Sequence, residues 1–280
     1  MFRWRGGIRN KNVNTYVTLP KWLDDYIFNE LGAKYCRSNA DMTVIDWDKS
    51  DILNYLGTYF PRSYAESRCI FGYYFDENSN VFKGRNEISI LDFGSGTGGE
   101  IIGLISILSE RFPDIKKIKI TPIDGNCHAL ELFDKVIKES LKHFNVHIEC
   151  ISSPVHIDDF YDLSVLATVL KGKYDIIMTF KAICEFVTKQ QFESRNAYKH
   201  IASFLVPKLS NVGLFLIVDV TTYNGITKEW LPKMLDKGLA EAKIKVSKYN
   251  EGYNQTILIS HSHKRNDISK VAWRLVSACM

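Results

Sequence analysis

Several things are missing from the 280-residue sequence, and each absence narrows the choices. No apolar run approaches the length of a bilayer span, which argues against a helical integral membrane protein. The six cysteines (Cys36, Cys69, Cys127, Cys150, Cys184 and Cys279) form no CxxC pair, so their spacing offers no metal site. There is no signal-peptide h-region either, and the expected compartment is reducing and cytoplasmic. Neither sign of charge dominates: 36 basic against 32 acidic side chains leave a net +4, which permits a polyanionic partner without requiring one. The first 23 residues hold no acid at all, only Arg3, Arg5, Arg9, Lys11 and Lys21. That composition resembles a transit peptide, but the expectation is that this end is retained. What remains is an ordinary globular balance, 45% hydrophobic and 24% charged, with aromatics (12%) concentrated in the first third.

The chain is organised around Ile88-Ser89-Ile90-Leu91-Asp92-Phe93-Gly94-Ser95-Gly96-Thr97-Gly98-Gly99-Glu100. An apolar, β-branched run stops at a cluster of glycines, and an apolar-periodic segment begins at Ile101, which predicts a buried strand, a tight turn and a helix. Glycines tolerate positive φ and let backbone N–H groups approach a ligand closely. The unpaired N–H groups of the following helix add a positive potential at the same spot. Such a turn suits a nucleotide-like ligand at the carboxyl edge of a sheet.

The order Asp92-x-Gly94-x-Gly96-x-Gly98 resembles motif I of the class I S-adenosylmethionine-dependent methyltransferases. Gly94-x-Gly96-x-x-Gly99 also satisfies the dinucleotide fingerprint, so a nicotinamide oxidoreductase is the competing match. Three features favour the first: the acid at Asp92, the roughly 85 residues ahead of the motif, and two further strand-like runs at the end of the chain. A weaker resemblance, to the methyltransferase-like proteins of the mitochondrial small ribosomal subunit and their bacterial relatives, rests on Arg62, Tyr64 and Ala65 ahead of motif I and on Glu185-Phe186 after the fourth strand. No cysteine grouping suited to that family's iron–sulfur cluster accompanies it.

From Glu87 onward, strands and helices alternate as in a doubly wound α/β fold. Strands are expected at 87–93, 118–123, 147–151, 174–180, 214–222, 255–260 and 271–276, and helices at about 98–111, 127–143, 189–209 and 228–242. The resemblance implies a seven-stranded, mostly parallel sheet of order 3-2-1-4-5-7-6 with the last strand antiparallel. The expected division is a mainly helical leader at 1–85 and a Rossmann-like core at 86–280. In the leader, helical spacing is read from Pro20 and again from about Lys49, and a helix start carrying Arg62, Tyr64 and Glu66 is expected to set a cation, a phenol and a carboxylate near the cofactor's edge. The basic, aromatic segment 1–20, with Phe2, Trp4 and Tyr16, fits either contact with nucleic acid or a solvated arm docked on the core.

Asp124, ending the second strand, has the chemistry to accept hydrogen bonds from both ribose hydroxyls. The resemblance implies S-adenosylmethionine as the cofactor, held by Asp92, Gly94, Ser95, Gly96, Thr97, Gly98, Asp124, Gly125, Val155, Phe180, Arg62 and Tyr64. The glycines would cradle the methionine moiety, Asp92 its ammonium directly or through water, and Val155 the adenine, with Asp158 as a polar candidate beside it. The acceptor would lie beyond the fourth strand, under the leader. That place has no Asn/Asp-Pro-Pro-Tyr/Phe run and no Pro-Cys run, so neither planar NH₂ acceptors nor cytosine C5 are indicated. Cys184 reads as a packing thiol, and Glu185 as the one candidate base or orienting group. His261 and His263 share one face of a strand end without a third ligand, so no metal is expected. The expected function is methyl transfer, to RNA or a ribosome-linked acceptor ahead of a small molecule. The alternatives are a methyltransferase-fold binding protein without turnover and the NAD-dependent oxidoreductase.

Overall fold

The computed structural model of the chain describes residues 15–36, 47–220 and 222–278. Phe2 and Trp4 therefore lie outside the described residues. The leader contributes strand β1 (Tyr16–Thr18), helix α1 (Lys21–Asp25), which runs on as a π turn over Tyr26–Glu30, and the 29-residue helix α2 (Lys49–Glu77). Then come β2 (Glu87–Phe93), α3 (Gly99–Arg111), β3 (Lys117–Asp124), α4 (Cys127–Ser140), β4 (His147–Cys150) and β5 (Ser153–Pro154). The second half runs α5 (Ser164–Val169), β6 (Tyr174–Phe180), α6 (Ile183–Phe186), α7 (Lys189–Ser194), α8 (Ala197–Leu205) and β7 (Leu209–Val220). It ends with the small hairpin β8 (Tyr223–Asn224) and β9 (Glu229–Trp230), helix α9 (Leu231–Glu241), and the long strands β10 (Val246–His261) and β11 (Lys264–Ala278).

The main sheet has the order β1-β10-β11-β7-β6-β2-β3-β4, with β5 pairing beside β3. From β4 to β10 this is the 3-2-1-4-5-7-6 order expected, and β11 runs antiparallel to both its neighbours. Side chains alternate in period two and sort into two layers. Ile88, Ile90, Ile176, Met178, Leu214 and Leu216 face the cluster that includes α2, α3 and α4. Leu91, Phe93, Ile177, Phe215 and Ile217 face the cluster that includes α5, α8 and α9. Helices cover both faces, so the central strands are near-continuous apolar runs.

The described leader is mainly helical, and β1 adds to the sheet in parallel beside β10, pairing Tyr16 with Leu258 and Thr18 with Ser260. Three local expectations are corrected. Arg62 does not start a helix. It lies midway along α2, which opens at a capping box where Asp48 accepts from Ser50 and Asp51 (2.7 and 2.9 Å) and continues through Pro61. Proline inside a helix removes the bond to the carbonyl four residues back, here that of Gly57, which packs against the backbone of Lys34. The helix expected at 189–209 is two, α7 and α8, because Asn196 caps α8 by accepting from the Lys199 N–H at 3.0 Å. Finally, β10 and β11 are 16 and 15 residues long, far beyond their apolar centres, because much of β10 is exposed and carries no hydrophobic signal.

Helix α2 ties the leader to the sheet. A Cβ at Gly103 of α3 would lie 2.4 Å from the Tyr64 carbonyl oxygen, so the two backbones touch where only glycine fits. The leader and the sheet share one hydrophobic cluster, from Leu23 and Leu56 to Ile101 and Ile120.

Candidate functional site

The carboxyl ends of β2, β3 and β6 meet in one cleft. Gly94, Gly96, Asp124 and Gly125 line one side, and Phe180, Lys181, Ala182, Glu185 and Phe186 the other, with Tyr55 of α2 above. The turn after β2 owes its shape to glycine: φ is +71° at Gly94, +47° at Gly96 and +82° at Gly98. A Cβ at Gly94 would fall 2.2 Å from that of Ala182, so the loop after β2 and the loop after β6 are in van der Waals contact. The Gly94 and Ser95 N–H groups donate to the Ile123 carbonyl (2.8 and 3.0 Å), which stitches the turn to β3.

Asp124 stands at the end of β3. It accepts from the Gly96 N–H at 2.7 Å and from the Asn126 N–H at 2.8 Å. Burial raises its carboxyl, while the N–H groups of Asn126, Gly96 and Gly125 work against that rise. Asp92 lies beneath the turn, fully buried, and neither carboxyl oxygen has a hydrogen-bond partner. Burial pushes it well up, and the nearby Glu100 and Asp124 push further. Glu100, in the first turn of α3, is likewise raised, mainly by burial, to about 8. Three acids thus crowd the glycine turn, and all three carboxyls are raised above their ordinary values.

Tyr55 closes the cleft from above. A Cβ at Gly96 would meet its hydroxyl at 3.2 Å, and its ring stacks on Tyr59 at 5.0 Å. Its phenol is raised, by burial first and then by Glu185, Glu100 and Asp124. Lys181 follows β6 directly and sits at φ +55°, a strained value for a non-glycine residue. Its ammonium pairs with Glu66 Oε1 at 2.6 Å, and Glu66 also accepts from the Ser269 hydroxyl. Glu185 lies on α6, exposed at the wall of the cleft. Burial, Asp124 and Asp219 raise its carboxyl well above the ordinary range, and Lys181 opposes them. Cys184 donates to the Lys181 carbonyl at 3.2 Å, and burial pushes its thiol well up, so it behaves as a packing thiol.

Of the expected residues, Gly94, Gly96, Asp124, Gly125, Phe180 and Glu185 line this one cleft. Asp92, Ser95 and Thr97 are buried behind it, and Gly98 caps α3. Val155 donates its N–H to the Asp124 carbonyl at 2.9 Å and packs in the cluster of Phe93 and Phe160, while Asp158 is exposed and pairs with His156. Arg62 and Tyr64 do not join the cleft. Arg62 makes a forked pair with Asp267 of β11 (2.7 and 3.1 Å), and Tyr64 turns its hydroxyl to Ser106 between α2 and α3. Of the expected cation–phenol–carboxylate group Glu66 alone reaches the cleft wall, through its pair with Lys181, and Tyr55 is the phenol that lines the cleft. Tyr55 was legible only as one turn before Tyr59, and Lys181 only as the residue after a strand. His261 and His263 stack on Phe28 (5.1 and 4.2 Å), and among the described residues no group of His, Cys, Asp and Glu is arranged to hold a metal.

No family model matches the chain, and no curated protein matches it. Solved structures do. One is magnesium protoporphyrin IX methyltransferase from Synechocystis PCC 6803 with bound S-adenosylmethionine: 11% identity, 91% of this chain against 89% of that one, TM-score 0.47. Another is a class I S-adenosylmethionine-dependent methyltransferase, so described as a putative one, from Listeria monocytogenes: 10% identity, 84% against 70%, TM-score 0.48. A third is an O-methyltransferase family protein from Burkholderia thailandensis: 12% identity, 86% against 65%, TM-score 0.44.

Proposed function

We propose that the chain is an S-adenosylmethionine-dependent methyltransferase. The observation that carries this reading is the convergence of the Gly94–Gly96 turn, the Asp124 carboxylate and the β6 end on one cleft, in a sheet of order 3-2-1-4-5-7-6. The unpartnered, buried Asp92 fits a cationic ligand, since a buried polar group without a partner is costly. In this reading the glycine turn and Asp92 hold the amino-acid end of the cofactor and Asp124 with Gly125 the ribose. Val155 walls the adenine side, and Phe180 lies under the reacting group. When bound, the cofactor supplies an electrophilic methyl group, which an acceptor oxygen or nitrogen takes in line as the acceptor's proton leaves. Glu185, which lines the cleft and whose carboxyl is raised above its ordinary value, is suited to receive that proton. Tyr55 keeps water off the turn.

The acceptor is read as a small molecule ahead of RNA. Arg62 and Tyr64, which carried the ribosome-linked resemblance, are committed to Asp267 and Ser106, and Lys181 is tied to Glu66. The setting is read as cytoplasmic on cysteine usage. Among the described residues no helix is long and apolar enough to cross a membrane. A chain that binds the cofactor without turnover is the second reading, favoured by Tyr55 lying over Gly96 and by both Asp124 oxygens already accepting N–H groups.

Thermal unfolding with S-adenosylhomocysteine or NAD tests the cofactor. The homocysteine compound should raise the midpoint, and Asp124→Ala should abolish the rise. Stabilisation by NAD alone would overturn the reading. Labelled methyl transfer to a metabolite extract, with total RNA as the second arm, separates turnover from silent binding.

A further inference from the structure

A second hollow opens beside the cleft, between α2, the end of β7 and the start of β11. Lys181 belongs to both and forms their common wall. The remaining surface comes from Tyr59, Arg62, Val220, Ile268, Ser269 and Lys270. Its character is unusual for a surface depression. Val220 and Ile268 are 42% and 43% exposed, two large aliphatic side chains left open next to each other's strands. The Tyr59 ring adds a flat apolar wall, with the Arg62 guanidinium 5.4 Å from its centre. Among the described residues no carboxylate lines the hollow. Asp267 and Glu66 stand behind Arg62 and Lys181 and are occupied by them. Lys270 is exposed and has no ion-pair partner among the described residues.

We propose that this hollow is the acceptor subsite and that it takes a small, planar, aromatic anion. The proposal rests on the cofactor reading above, because the shared wall at Lys181 is what brings an occupant of the hollow to the reacting methyl group. The ring lies against Tyr59, Val220 and Ile268, where the aliphatic surface of the last two is otherwise left to water. The negative group points to Lys270 and to the ammonium of Lys181, which Glu66 holds in place. A cationic acceptor would meet the unpaired Lys270, with no carboxylate in the hollow's lining among the described residues. A neutral one would leave Lys270 unused. An RNA strand would need a row of free cations, and two of the three here are already neutralised by buried partners.

The test uses the full chain without cofactor, and salicylate and its neutral counterpart salicylamide as probes, with binding followed by saturation-transfer NMR. Salicylate should bind at least about tenfold more tightly, the size of a charge-assisted contact. Lys270→Gln should weaken salicylate about threefold. Lys119→Gln, which removes a charge from the β3 face, should leave it unchanged. Equal binding of the two probes, or indifference to Lys270→Gln, overturns the proposal, as does a U-rich oligoribonucleotide that binds more tightly than salicylate and competes with it. Thermal unfolding with S-adenosylhomocysteine is run in parallel. Salicylate binding without a homocysteine effect defeats the cofactor reading, and with it the acceptor role of the hollow. A homocysteine effect without salicylate binding defeats the hollow alone.

Discussion

The molecule buries acids in two ways. Along α2, each buried acid has its cation: Asp267 is forked by Arg62, and Glu66 is paired with Lys181. Under the glycine turn, Asp92 and Glu100 have none, and Asp92 has no hydrogen bond either. Burial acts against the charged form in both places. At Asp267 the guanidinium outweighs it and holds the carboxyl below the usual range, whereas at Asp92 and Glu100 nothing does, and both rise. The lesson is a division of labour. Neutralised acids join the leader to β11 and the β6 loop. Acids left without a countercharge stand where a cationic ligand would supply one.

Breaking the paired set should have the largest effect. Arg62→Ala leaves Asp267 buried and uncompensated, and unfolding in urea should show a loss of about 3–5 kcal/mol. Replacing both partners by apolar residues should recover much of it. The unpaired set should behave oppositely. Folding moves Glu100 from an ordinary value of 4.5 to about 8. Between those two values the folded chain keeps a proton that the unfolded chain has lost, so stability is greatest below the lower value and falls as pH rises toward the upper. Glu100→Gln should flatten that slope, read as denaturation midpoints from pH 5 to 9, and should stabilise the ligand-free chain at the alkaline end. The smallest effect belongs to an exposed pair outside both groups. Lys119→Gln, which breaks the surface contact with Glu87 (2.7 Å), should change stability by less than about 1 kcal/mol.

Much of the cleft was readable because it is local. The strand, turn and helix at 87–111 come from one run of residues, and Asp124 closes the next strand in register with it, Asp92 opposite Pro122 and Phe93 opposite Ile123. The strand order came through the family resemblance, since apolar periodicity alone does not order strands. What escaped depends on partners far away in sequence. Arg62 meets Asp267 across 205 positions, and no pattern near Arg62 announces it. Tyr55 enters the cleft because α2 continues unbroken through Pro61, against the usual effect of proline in a helix. Val155 was legible as an apolar residue after a strand, but its tie to the Asp124 carbonyl depends on the short parallel pairing of β5 with β3.

The pairing of β1 with β10 has a consequence for how the chain matures. Thr15 accepts from Leu258 and Leu19 donates to Ser260, so a segment made early by the ribosome pairs, among the described residues, with one made late. During synthesis the early strand stays unpaired until residues beyond 246 emerge, and contacts of such separation close slowly.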